Sequence, residues 1–252
     1  MRLARPLIIF AGLLAFWQAL VWVTGVAAFI LPGPAAVALA LVERWAELVH
    51  HAGVTIAEIL LGLLLGAVIG SASAILIATV RPARRWVMPV LVVSQAIPVF
   101  ALAPILVLWL GYGLASKVAM ATLIIYFPVT AAFFDGLRRT EPGWLDLART
   151  MGGGTAAVLW HIRIPAALPA FASGLRVATA VAPIGAIVGE WVGSSAGLGY
   201  LMLHANARMQ VDVMFAALFV LALFAVALYF TVDAGLRRLM PWQADDARQA
   251  HD

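Results

Sequence analysis

The amino-acid sequence predicts an all-α integral membrane protein, with about six transmembrane helices in a single domain covering residues 1–252. Of the 252 residues, 64% are hydrophobic and only 11% are charged, whereas a soluble domain usually has about 25% charged residues. A soluble fold of this length has too little interior to bury so much apolar surface. The apolar residues also form long runs, and about 20 such residues cross a bilayer as a helix.

Six apolar runs are long enough for transmembrane helices. The first lies in the charge-free stretch between Arg5 and Glu43, and Pro32-Gly33-Pro34 ends it because proline and glycine break helices. A charged stretch at residues 35–51 follows and predicts an amphipathic surface helix. The predicted spans cover residues 7–30, 54–80, 86–110, 118–134, 168–188 and 213–236.

Two of these spans have a distinctive composition. The second contains Gly62, Gly66 and Gly70, small residues that allow close packing of membrane helices. The third contains Pro98 and Pro104, which remove backbone hydrogen bonds and are tolerated where neighbours or a cavity satisfy the freed groups. These prolines indicate either a kinked helix beside a transport pathway or a helix bent only for packing.

Basic residues alternate between the two sides of the predicted bundle. One side carries Arg2, Arg5, Arg81, Arg84, Arg85, Arg138, Arg139, Arg149, Arg163, Arg237, Arg238 and Arg248. The other carries only Arg44, Lys117 and Arg208. Because short cytoplasmic loops are enriched in lysine and arginine, we expect both termini and the 135–165 loop to be cytoplasmic. The basic residues are also confined to short gaps between the apolar runs, and this distribution argues against a nucleic-acid partner.

The sequence offers little catalytic chemistry. It lacks a G-x-x-x-x-G-K-[ST] phosphate loop, so no usual ATP site is expected, and without cysteine or clustered histidine it predicts no metal site. We expect Glu58 and Glu190 to be interface anchors near the outer ends, and Asp135 and Asp233 near the inner ends. A secondary transporter or channel remains an alternative, although it would favour acids at the membrane midplane. A membrane enzyme or a structural subunit is the other alternative.

The loop at residues 135–165 is the most informative polar segment. Pro142 opens a predicted short helix, on which Leu145, Ala148 and Met151 form an apolar stripe at helical spacing. Gly152-Gly153-Gly154 ends that helix, and a second short helix at residues 156–161 leads to Pro165. Apolar side chains on a water-exposed helix indicate docking into a groove of a partner protein.

The same loop carries a family resemblance. Asp146-Leu147-Ala148, Gly152 and Ile162-Arg163-Ile164-Pro165 resemble the E-A-A…G…I-x-L-P loop of the inner-membrane subunits of binding-protein-dependent ABC importers. Asp146, Leu147 and Ile164 replace the usual Glu, Ala and Leu, but the spacing is intact. Further segments resemble the nitrate, sulfonate and taurine branch, namely Gln95-Ala96-Ile97-Pro98, Gly111-Tyr112-Gly113, Gly174-Leu175-Arg176 and Gly189-Glu190-Trp191. Residues 183–191 and His204-Ala205-Asn206 resemble permeases for thiamine-precursor pyrimidines.

The resemblance implies a function and a set of partners. It implies a multi-pass permease subunit of the bacterial inner membrane that binds no cofactor itself. Two copies would form the pathway, a separate cytoplasmic ATPase dimer would hydrolyse ATP, and a periplasmic binding protein would deliver the solute. The implied coupling residues are Leu145, Asp146, Ala148, Met151, Gly152, Ile162, Ile164 and Pro165, and the candidate pathway residues are Gln95, Pro98, Pro104 and Glu190. The sequence does not identify the solute.

Overall fold

The computed structural model describes residues 4–242, without the side chains at positions 4–7, 10 and 94–96. Arg2 and Arg248 therefore lie outside the described residues. Within these limits the chain folds as helices joined by short connections. They are α1 (Ala4–Thr24), α2 (Pro34–Glu43), α3 (Trp45–Thr79), α4 (Arg81–Ala96), α5 (Val99–Leu110), α6 (Leu114–Arg138), α7 (Pro142–Thr150), α8 (Thr155–Val158), α9 (Ile164–Gly193), α10 (Leu198–Ala207) and α11 (Val211–Leu239).

Helix α6 is the centre of the bundle, with α3 on one side and α9 on the other. The three predicted glycines of α3 face it, since an added Cβ at Gly62 would overlap Ala121 and one at Gly66 would lie 2.5 Å from Ile125. On α9, a Cβ at Gly174 would lie 2.6 Å from the Pro128 carbonyl oxygen, and one at Gly185 2.6 Å from the Ala121 Cα. Small residues thus bring three backbones together, as is typical of membrane helices.

The helices run between two ends that differ in charge. Helices α3, α6 and α11 finish at what we call the basic end, where Arg84, Arg138 and Arg163 lie and where Ile77 packs with Leu137. They begin at the opposite end, called the α10 end, where α9 finishes and Glu190 contacts Thr55. The alternation predicted from the basic residues is therefore present in the fold as a difference between its ends.

Four helical stretches are long and apolar enough to cross a membrane, counting the described residues only: Trp45–Thr79, Leu114–Arg138, Thr155–Gly193 and Val211–Leu239. They include the second, fourth, fifth and sixth predicted spans, each extended at both ends or, for the second, at its start. An all-helical membrane fold is thus confirmed, while the count of six remains a prediction.

The third predicted span is not one helix. The chain ends α4 at Ala96 and starts α5 at Val99, with Ile97 and Pro98 in extended conformation between them. A residue before proline is biased away from the helical region, and Pro98 cannot donate the hydrogen bond that would continue α4. Together α4 and α5 still carry the chain from the basic end to the α10 end, because the Val107 and Tyr112 side chains lie against Gly193 at the end of α9 there.

The predicted surface helix at 35–51 is also divided differently. Its first part is α2, whereas residues from Trp45 onward are the first turns of α3 and continue without a break into the apolar run. The boundary falls at Arg44, whose backbone leaves the helical region. The first predicted span also ends earlier than expected, at Thr24.

Candidate functional site

The segment between α6 and α9 contains the short exposed helix that the sequence predicts. Pro142 lies in its first turn, and no residue of α7 is buried. Its end has two nested hydrogen bonds, from the Gly153 amide to the Ala148 carbonyl (2.8 Å) and from the Gly152 amide to the Arg149 carbonyl (2.9 Å). Gly152 has a φ of 80°, a left-handed backbone conformation that is sterically unfavourable for residues with a Cβ. This pattern is a Schellman cap, which turns the chain sharply after the helix.

An arginine closes the base of this segment. The Arg163 guanidinium donates two hydrogen bonds to the Leu137 carbonyl, from Nε at 3.3 Å and from Nη2 at 3.0 Å. The carbonyls at a helix C-terminus lack intrahelical partners, and a cation there is favourable. Arg163 therefore fastens the start of α9 to the end of α6, and the loop leaves and rejoins the bundle at one point.

The apolar stripe of α7 contains two of its three predicted residues, Ala148 and Met151, but not Leu145. Trp144, Leu147, Ala148 and Met151 line a hollow of about 970 Å³, whereas Leu145 is half-buried outside it. Spacing of 3, 1 and 3 residues places these four side chains on one helical face. The rest of the lining is also mainly apolar: Gly153, Ala157, Val158, His161, Ile162, Pro165, Ala166, Pro169 and Trp242.

The remaining predicted coupling residues divide between the hollow and its surroundings. Ile162 and Pro165 line it, while Ile164 points to the bundle and packs near Leu137. Asp146 pairs with Arg149 at 3.0 Å, with both side chains 70% exposed. The predicted second short helix differs too, since α8 passes through a π-helical turn at Leu159–Arg163 directly into α9. Pro165 cannot donate a backbone hydrogen bond, but it directly follows this π-helical turn and the run continues through it.

At the α10 end, the side chain of Glu190 is a structural acceptor. It is 1% exposed, and its carboxylate accepts hydrogen bonds from the Thr55 hydroxyl (2.6 Å) and from the amides of Gly199 (2.5 Å) and Tyr200 (3.2 Å). Those amides belong to the first turn of α10, where backbone donors have no intrahelical acceptor and negative charge is favourable. Glu190 belongs to α9 and thus caps α10 from another helix. It precedes the two amides that donate to it by 9 and 10 residues in sequence.

Helix α3 supplies acceptors for the other two amides of the same turn. The Gly197 amide donates to Nδ1 of His51 (3.0 Å), and the Leu198 amide donates to the Thr55 hydroxyl (2.8 Å). Gly197 has a φ of 117°, and a Cβ there would overlap the Glu190 carboxyl. The Gly197-Leu198-Gly199 segment is therefore the means by which backbone amides reach a buried carboxylate.

Glu58 is the unsatisfied member of this cluster, which we call the Glu190 cluster (His51, Thr55, Glu58, Glu190 and residues 197–200). Its carboxyl lies beside that of Glu190 and is 1% exposed, and neither oxygen has a donor among the described residues. A hydrogen bond between two carboxyls requires a proton on one of them. The prediction that Glu58 and Glu190 are interface anchors is wrong in this respect, because both are buried together.

The other ionisable groups near helix ends form an ordinary ion-pair network. Asp233 of α11 accepts from Arg176 of α9 at 2.6 Å and from Arg237 at 2.9 Å. It lies at the basic end as expected, but joins two helices there. The side chain of Arg176 is long enough to extend toward the membrane surface, and the structure instead pairs it with Asp233.

The four candidate pathway residues are not brought together within one chain. Pro98 and Pro104 are exposed at the start and middle of α5, whereas Glu190 is buried in its cluster. Gln95 lies in the last turn of α4, and its side chain is outside the described residues. Their role in a pathway stays a prediction.

Comparison with known proteins gives consistent matches. Residues 59–244 match the family described as "Binding-protein-dependent transport system inner membrane component". A "Probable ABC transporter permease protein" of Haemophilus influenzae is 56% identical over 95% of this chain and 98% of that protein. "Formylaminopyrimidine transport permease protein ThiX" of Halalkalibacterium halodurans is 35% identical over 95% and 96%. Permeases named for aliphatic sulfonates and for taurine also match.

The fold has a counterpart among solved structures. A chain of the MetNI methionine ABC transporter, in an inward-facing conformation, superposes with a TM-score of 0.64 at 21% identity. The match covers 79% of this chain and 96% of that one. At this identity the likeness concerns the fold.

Proposed function

Because this chain belongs to the family of binding-protein-dependent transport system inner membrane components, it is the permease subunit of an ABC importer, and we propose that two copies form the path of a small, uncharged heteroaromatic solute. The predicted family and its nitrate, sulfonate and taurine branch are confirmed. ATP hydrolysis belongs to a separate subunit, so the permease must receive the effect of hydrolysis through a contact with that subunit.

Helix α7 is the proposed coupling element. Its apolar stripe is exposed, with Met151 79% accessible, and an exposed stripe of this kind fits a groove on another protein. The Schellman cap and the Arg163 contact hold α7 in a defined orientation. A displacement of α7 would therefore move the ends of α6 and α9. This connection supports a role for α7 in transmitting closure of the ATPase dimer to the bundle.

The proposed topology has six crossings, with the basic end in the cytoplasm of a bacterial inner membrane. Support comes from the charge difference between the ends and from the combined passage of α4 and α5. In this arrangement both termini are cytoplasmic, and the α10 end faces a periplasmic binding protein. Exposure of Pro98 and Pro104 on a single chain fits a pathway between two copies.

The solute class depends mainly on one observation, the 35% identity to the ThiX permease across nearly the full length of both chains. The buried charged side chains of the described residues are Glu58, Lys117 and Glu190, all at the α10 end, so the bundle offers little to compensate a charged solute in mid-membrane. A pyrimidine precursor of thiamine satisfies both constraints. An alkyl sulfonate is the second candidate, favoured by the matches to sulfonate and taurine permeases.

Growth rescue separates the two candidates. The chain is expressed with its neighbouring ATPase and binding protein in one strain that requires a thiamine pyrimidine and in another that uses sulfonates as its only sulfur source. We expect rescue of the first strain alone, and no rescue when the binding protein is omitted. Rescue only on sulfonates would reject the heteroaromatic proposal. Direct ligand binding by the purified binding protein provides an independent measurement.

A further inference from the structure

Three arginines at the start of α4 lie on one helical face around a shallow hollow. Arg81, Arg84, Arg85, Met88 and Pro89 line this hollow, which has a volume of about 530 Å³. Spacings of three and four residues place the arginines and Met88 on one side of the helix. The positive-inside preference accounts for basic residues in this loop, but not for their convergence on a cavity with an apolar floor.

The guanidinium groups of this α4 patch have no carboxylate partner within the part of the chain that the structure describes. None of the ion pairs formed by the described residues includes them, and all three side chains are exposed. The Arg84 guanidinium carbon lies 5.5 Å from the centre of the Phe134 ring, and that of Arg138 lies at the same distance. A cation over an aromatic face remains free to bind an anion. The start of α4 adds the positive end of a 16-residue helix.

The apolar surface next to the patch indicates what kind of anion it fits. Val92 is 63% exposed and lies on the same face of α4 as Arg85 and Met88, while Trp86, Val90 and Val93 expose a second apolar side of the helix. Tryptophan is enriched at the membrane–water boundary, and an exposed valine face in a membrane protein contacts acyl chains. A ligand here would therefore have a negative head beside the arginines and a hydrocarbon tail along α4. Basic pockets between helices at the cytoplasmic surface bind anionic lipid head groups in this manner.

We propose that the α4 patch is a binding site for the phosphate of an anionic phospholipid. The arginines bind the phosphate oxygens, and Met88 and Pro89 support the glycerol end of the acyl chains. Pro89 cannot donate to the Arg85 carbonyl, and this acceptor is suited to a head-group hydroxyl. The site goes beyond solute transport and does not depend on which solute is carried.

Native mass spectrometry of the purified full-length chain tests the site, using cardiolipin, phosphatidylglycerol and phosphatidylcholine with the same acyl chains. The two anionic lipids should bind about tenfold more tightly than phosphatidylcholine. Arg81→Gln with Arg85→Gln should weaken their binding roughly tenfold, which is about 0.7 kcal/mol for each arginine and slightly less than the roughly 1 kcal/mol that a basic residue contributes near an anionic surface. Arg81→Lys with Arg85→Lys should retain most of the affinity.

The control removes the same charge at the other end of the molecule. Arg44→Gln with Arg208→Gln should leave lipid affinity unchanged. An equal loss of affinity in both double variants would mean that lipid binding depends only on the total charge of the protein. Displacement of the lipid by millimolar inorganic phosphate would contradict a lipid site. Unchanged lipid binding with loss of ATPase capture would assign the patch to the ATPase. If the Gln pair does not fold, the single Arg85→Gln variant should show about a threefold loss.

Discussion

The two ends of the bundle satisfy their polar groups in opposite ways. At the α10 end, the amides of Gly197 and of the first three residues of α10 all find acceptors inside the chain, on His51, Thr55 and Glu190. At the basic end, α7 buries none of its side chains, and the arginines of the α4 patch form no ion pair with the described residues. One end satisfies the amides of a helix start within the single chain, and the other presents groups that a partner or a lipid would satisfy. Substitutions at the α10 end should therefore affect stability, and those at the basic end should affect association.

The largest expected effect comes from Glu190→Ala. The substitution removes the acceptor of the Gly199 and Tyr200 amides and of the Thr55 hydroxyl, leaving buried donors unpaired. We expect a loss of about 3–5 kcal/mol of stability, seen as a lower unfolding temperature of the detergent-solubilised protein and reduced membrane abundance. A variant of normal stability that fails only in transport would instead support the predicted role of Glu190 in the pathway.

A substitution in α7 should have the opposite pattern. Ala148→Arg places a long cation within the apolar hollow, and Gly152→Asp puts a side chain on a backbone with positive φ, each at a cost of about 1–3 kcal/mol. Neither position contacts the bundle core. We expect normal membrane abundance but at least tenfold weaker co-purification of the ATPase, and loss of uptake.

Arg149→Gln is the matched control for the α7 variants, because it changes an exposed side chain of the same helix that is outside the predicted coupling residues and forms only a surface ion pair. It should leave ATPase capture nearly unchanged. Normal capture by Ala148→Arg and Gly152→Asp would show that α7 is not the coupling element. Loss of abundance in both would indicate that the segment is needed only for folding.

The smallest expected effect is that of Glu58→Gln, which tests the interior of the Glu190 cluster. The glutamine amide has nearly the same size and supplies a donor beside the Glu190 carboxylate without needing a proton. Stability should change by less than about 1 kcal/mol in either direction, far less than in Glu190→Ala. A loss as large as that of Glu190→Ala would mean that the charge of Glu58 is itself required, because a glutamine cannot supply it.

The sequence predicts the parts of this fold that depend on local chemistry. Apolar runs, the glycines of α3 and the cap at Gly152 each have a cause within a few residues, and the structure contains all three. The break at Pro98 also has a local cause, but proline within a membrane helix is often tolerated: Pro104 lies inside α5 without ending it. Choosing between these outcomes requires knowledge of the neighbouring helices.

The features that the sequence could not predict depend on distant contacts. Thr55 and Glu190 are 135 residues apart, and neither carries a local sign that it will meet the other. Both acids of the Glu190 cluster lie near helix ends, where an exposed position is the reasonable expectation, and only the fold places them together. The shift of the α7 stripe from Leu145 to Trp144 and Leu147 has a similar origin, because the orientation of the helix is set by its cap and by the Arg163 contact.

The Arg163 contact with Leu137 has a consequence for how such permeases diversify. The segment between these two residues begins and ends at one hydrogen-bonded point, so its exchange for the equivalent segment of another permease leaves the crossings of the bundle unaltered. On the proposal that α7 contacts the ATPase, recombination at this junction would give a chimaera that accepts the ATPase of another importer and keeps its own solute path. The contact with the ATPase and the path of the solute would then lie on separate, exchangeable segments of the chain.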